Sequence, residues 1–145
     1  MKLVRTPATD LFDAFFAAET TDQVGMRVRR IRLVEQRLRA CLEEEFQRVL
    51  VTGDLALVAA EREREPLNAV ARVANGEDLI YLFSIFLSSP WLLDDPTDRR
   101  VQFRVVERFT GWLIAHKQVR SYGLECPLLD VRFAINSGRR ALRGH

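Results

Sequence analysis

The sequence predicts a mainly α-helical single domain, a bundle of five to seven helices. Three observations predict it. Apolar residues recur at steps of three, four and seven along most of the chain. Capping residues, prolines and glycines divide it into stretches of helical length. No internal repeat or low-complexity segment points to a solenoid or a disordered tail. At 145 residues the chain is most economically one domain, spanning 1–145. Such a chain buries roughly two-thirds of its unfolded surface, so no metal or disulfide staple is needed.

The elements follow in order. Thr9 or Asp10 caps a short helix through about Glu19, with Leu11, Phe12, Phe15 and Phe16 on one side. Thr20-Thr21-Asp22 is the next cap signal, opening a long helix to about Val51. Val24, Val28, Ile31, Leu38, Leu42, Phe46 and Val49 form its stripe, and Gly53 its stop. Asp54 caps Leu55 to Glu65, and Pro66 opens Leu67 to Ala74. After Asn75-Gly76, the almost wholly apolar Leu79 to Leu87 reads as the central buried helix. Asp95-Pro96 starts a second long helix, expected to reach Arg120 and end at Ser121-Tyr122-Gly123. Pro127 opens the last helix, expected to stop near Ser137-Gly138, leaving 138–145 as a basic tail. The competing arrangement is α+β, with hairpins near 47–60 and 68–86 about the Gly53 and Asn75-Gly76 turns.

Charge is segregated. Residues 1–39 carry a net +3, residues 40–96 a net −7, and residues 97–145 a net +6, within a total of only +2. Such a field steers partners that the total charge does not reveal. The basic residues are 20 Arg and only Lys2 and Lys117. Arginine suits phosphate and carboxylate recognition, though a compositional bias toward Arg gives the same count.

The leading candidate surface lies on the helix from Pro96. Arg100, Arg104 and Arg108 stand four apart and form one ridge, and Arg139, Arg140 and Arg143 add charge in the tail. Like charges at this spacing repel by a few tenths of a kcal/mol per pair, which a bound anion relieves. A solvated face neutralised by the chain's own acids is the plainer account. The second basic cluster, Arg27 to Arg39, is scattered around its helix and reads as solvated surface. Glu35 falls within an apolar stripe, and His116 lies beside Trp112 on an apolar side. Both are expected as buried polar groups with partners. Phe12, Phe15 and Phe16 on a loosely attached helix within 1–20, and Trp91 after Pro90, are candidate partner anchors, with core packing as the default.

Catalytic signals are absent from the sequence. No phosphate-binding G-x-x-x-x-G-K-[ST] loop, dinucleotide fingerprint or G-x-S-x-G elbow is present. Glu43, Glu44 and Glu45 with Glu61 and Glu65 could suggest a Mg²⁺-dependent helical hydrolase, but Glu61-Arg-Glu-Arg-Glu65 alternates in sign and reads as self-neutralised. No second internal histidine joins His116 in a metal site, and no cofactor is expected. Cys41 and Cys126 form no C-x-x-C pair and read as reduced thiols of a cytoplasmic protein. Met1 to Arg5 is basic, but no apolar leader core with a cleavage site follows. The apolar run Leu79 to Leu93 is shorter than the roughly 20 residues a spanning helix needs. The expectation is therefore a non-catalytic interaction or assembly protein, self-associating or meeting another protein through its arginine ridge. Sequence-nonspecific binding of a nucleic-acid backbone is the alternative, and the hydrolase stands third.

Overall fold

The computed structural model describes residues 5–120 and 122–144. Met1–Val4, Ser121 and His145 lie outside them, and with them the ends of the expected docking segment and basic tail. Among the described residues seven α-helices follow one another: α1 (Ala8–Thr20), α2 (Met26–Glu45), α3 (Thr52–Arg64), α4 (Ala69–Val73), α5 (Gly76–Phe86), α6 (Pro96–Ala115) and α7 (Glu125–Arg143). A single 3₁₀ turn, Phe46–Arg48, follows α2. Among the described residues there is no strand, so neither hairpin forms.

The apolar run becomes the buried centre. Leu79, Ile80, Leu82, Phe83 and Phe86 of α5 are wholly buried, and α5 packs against α1, α2, α6 and α7. Asn75 caps it: its side chain accepts from the N–H groups of Glu77 and Asp78, while Asp78 accepts from the Asn75 N–H at 2.9 Å. This reciprocal box satisfies donors that the first helical turn would leave unpaired. A one-way cap starts α6, where Asp95 Oδ2 accepts from the Asp98 N–H at 3.0 Å and Pro96 takes the first helical position.

The phenylalanines of α1 point inward. Phe12, Phe15 and Phe16 are buried around Phe109 of α6. The Phe15 and Phe109 rings stack at 4.1 Å, and Phe12, Phe16 and Trp112 meet Phe109 edge-on. The expectation of a loosely attached α1 offering these rings to a partner is therefore corrected: an apolar side this bulky is part of the core. Trp91 is corrected likewise. It is buried, with Arg37 over its ring at 5.2 Å and its indole N–H directed at Glu45.

Several boundaries differ from expectation. The Thr20 and Thr21 hydroxyls bond back to Phe16 and Ala17 carbonyls and close α1 instead of capping α2. Asp22 and Gly25 then take positive φ, and α2 starts at Met26, leaving Val24 82% exposed. At the other end α2 tightens into its 3₁₀ turn before Val49. α6 stops at Ala115 because Lys117 adopts left-handed backbone (φ 57°). The Gln118 N–H then bonds the Leu113 carbonyl and the Lys117 N–H the Ile114 carbonyl, the Schellman arrangement. α7 runs through Gly138 to Arg143, so most of the expected basic tail is helix. Leu142 is buried in its last turn. Among the described residues no helix is long and apolar enough to cross a membrane.

Candidate anion-binding surface

The ridge forms as its spacing implies. Arg100, Arg104 and Arg108 are all exposed on α6, opposite the buried Phe103, Val106 and Phe109. Their chemistry differs. Arg108 Nε lies 2.8 and 2.9 Å from the two oxygens of Glu19, at the end of α1. Arg100 and Arg104 make no hydrogen bond or ion pair among the described residues.

The last turns of α7 lie beside the ridge. Arg139 forms a two-pronged pair with Glu107, at 2.9 and 3.0 Å. These hydrogen bonds hold the Glu107 carboxyl below the usual carboxylate range, burial opposes them, and the fields of Arg139 and Arg104 add to the lowering. Arg143, one turn on, is unpaired among the described residues. Arg100, Arg104, Arg139, Leu142 and Arg143 line one groove of about 320 Å³. Arg140 is exposed and unpaired among the described residues, but is not part of the groove wall. The chain's two separated sets of ridge and tail arginines thus meet in space.

A second depression lies on the other flank of the ridge, between α6, α2 and the α1–α2 turn, with a volume of about 380 Å³. Arg27 enters here beside Arg100, Arg104 and Arg108. Sequence reasoning left Arg27 in the scattered cluster, and only the packing of α2 on α6 joins it to the ridge.

Of the rest of that cluster, Arg29 is exposed with only a 3.8 Å contact to the Met26 sulfur, and the other four are consumed internally. Arg30 pairs with Asp98 at 3.0 Å, Arg32 and Arg39 both bind Glu35, and Arg37 donates to the Trp91 and Pro90 carbonyls. Glu35 is thus largely covered and partnered, as expected of a carboxylate there, though by arginines of its own helix instead of a neighbouring one. His116 corrects its expectation. It is exposed, its ring stacks on Trp112 at 4.0 Å, and its Nδ1 lies 2.8 Å from the Trp112 carbonyl. The early stop of α6 places it at the helix end instead of on a buried face.

Three of the five carboxylates considered for Mg²⁺ are held elsewhere. Glu43 accepts from the Val70 and Ala71 N–H groups at the start of α4, Glu45 pairs with Arg48, and Glu61 with Arg64 and Arg72. Among the described residues no three His, Cys, Asp or Glu side chains converge as metal ligands would. Cys41 is a buried free thiol and Cys126 an exposed one. Burial, reinforced by Glu45 and Glu44, pushes the Cys41 thiol up to about 12.

No family model matches this chain, and no curated protein or solved structure was found to be similar to it.

Proposed function

We propose that this chain is a non-catalytic binding protein that docks an extended anionic partner, the phosphate backbone of a nucleic acid, on the arginine surface of α6 and α7. One observation carries the reading. Arg100, Arg104 and Arg143 share a groove and stay unpaired, while most arginines elsewhere are already bound to carboxylates or carbonyls. Unpaired guanidinium groups in a row lose little internal stabilisation when they turn to phosphate. Within the acidic middle block Glu43, Glu45, Glu61, Glu77 and Asp95 are engaged inside the molecule, while Glu44, Glu63 and Asp94 are exposed and make no ion pair among the described residues.

Self-association is the second reading, and a different surface favours it. Leu129 and Phe133, one turn apart on α7, are 60% and 72% exposed. An apolar pair of this kind suits a helix of a second copy.

Light scattering on a sizing column separates the two, at low and high salt, with and without a mixed-sequence oligonucleotide. The backbone reading expects a mass increase only with the oligonucleotide, lost at high salt. A concentration-dependent oligomer indifferent to the oligonucleotide replaces it with the second reading.

A further inference from the structure

The depression between α6, α2 and the α1–α2 turn differs in kind from the groove on the other flank. Its rim is charged and its floor is apolar. Arg27, Arg100 and Arg104 stand on the rim without a partner among the described residues, and Arg108 is already held by Glu19. Asp22 is the remaining carboxylate on the rim, so three unpaired arginines face one acid. The floor is Ile31 of α2 with Val101 and Val105 of α6, Ile31 and Val105 being buried. A volume of about 380 Å³ falls at the lower end of the roughly 300–1,000 Å³ range of small-molecule sites.

The charge and the floor together select a ligand. An excess of about two positive charges matches a phosphate monoester, which carries close to two negative charges at neutral pH. Planar guanidinium groups bind its oxygens two at a time. A free inorganic phosphate leaves the Ile31, Val101 and Val105 floor covered only by water, whereas an ester with an apolar body covers it. We propose that this cleft is a binding site for a small phosphate monoester whose apolar body lies on the Ile31–Val101–Val105 floor. The site shares Arg100 and Arg104 with the groove on the far side of the ridge. It depends on Arg27 and the floor, which an extended backbone in that groove does not touch. Its success or failure is therefore separate from the backbone reading.

Titration calorimetry with the full chain tests it, using inorganic phosphate, octyl phosphate and adenosine 5′-monophosphate. The expected result is that at least one ester binds roughly tenfold more tightly than inorganic phosphate, the yield of covering about two methylene groups' worth of surface. Tighter binding of octyl phosphate identifies an alkyl body, and of the nucleotide an aromatic one. Arg27→Glu, at an exposed position, is expected to abolish the binding with the fold intact. Val101→Trp, which fills the floor without touching charge, is expected to remove the esters' advantage while leaving oligonucleotide binding unchanged. Esters that bind no better than inorganic phosphate overturn the proposal, as does ester binding undiminished in a folded Arg27→Glu protein.

Discussion

Phe103 of α6 and Gly138 of α7 are in direct contact, so close that a Cβ on Gly138 would lie 2.0 Å from the ring's Cζ atom. The missing side chain lets the two helices approach just where Arg139 and Arg143 come alongside Arg100 and Arg104. Gly138→Ala adds helix propensity of about 1 kcal/mol, but overpacking of about 1–3 kcal/mol opposes it. Because the Phe103 ring is buried, the steric cost is expected to win. Thermal unfolding should show a lowered midpoint, and α7 should be displaced from the ridge. A variant at least as stable as the parent contradicts the close approach.

The aromatic centre supplies a sharper test of the core. Phe109 touches Phe12, Phe15, Phe16, Phe83 and Trp112. Phe109→Ala should cost about 3–5 kcal/mol, read from denaturant unfolding followed by tryptophan fluorescence. Phe15→Ala should cost a similar amount. A mild effect at Phe15 would restore the loosely attached helix that the sequence suggested.

Lys117 sits in left-handed backbone at the end of α6 with no glycine to ease it. Lys117→Gly removes a strain of about 1–2 kcal/mol and adds chain entropy to the unfolded state, for a net gain of about 0.5–1 kcal/mol. The unfolding temperature should rise by a few degrees.

Asp78 gives a pH signature. Burial pushes its carboxyl from 3.8 up to about 6, opposed by the hydrogen bond from the Asn75 N–H and helped by the nearby Asp54. The folded protein therefore keeps a proton that the unfolded chain releases over this window. The Asp78 contribution to stability is favourable below about pH 4 and declines as pH rises toward 6. Asp78→Asn keeps an acceptor for the capping box and does not titrate. The stability of the parent relative to this variant should fall between pH 4 and 6. The lowered carboxyls of Glu77 and Glu107 act in the opposite sense, losing stability as pH falls through their folded range. Both are common to the two proteins: Glu107 cancels in the difference, whereas Glu77 adjoins Asp78 and its field is part of the Asp78 shift. A difference independent of pH contradicts the assignment.

Much of the fold was legible because local chemistry and tertiary packing agree. Asp95-Pro96 caps α6 and the run from Leu79 is the buried helix, although Asn75, read only as a break, turns out to cap α5 and to start it three residues earlier. Legibility failed where packing overrode local signals. Pro127 lies in the first turn of α7, as its opening signal implied, but Gly138 marks a helix end by composition and α7 runs through it, with Gly138 used for the Phe103 contact. The end of α6 is a left-handed lysine, which carries no glycine to announce it. For the site, the four-residue spacing exposed the ridge. It did not show that Glu19 would hold Arg108, that Glu107 would hold Arg139, or that Arg27 would join from α2. Those pairings depend on contacts between helices. They also choose the residues to test: Arg100 and Arg104 are unpaired, whereas substituting Arg108 also breaks its pair with Glu19.

The central claim is tested most directly by oligonucleotide binding, followed by fluorescence anisotropy across a salt series, for the parent and the Arg100→Glu, Arg104→Glu double variant. The account expects parental affinity to fall steeply with salt. It expects the folded double variant to bind much more weakly, with a log–log salt slope shallower by roughly one to two. Equal affinity and equal slope in the two proteins would contradict it.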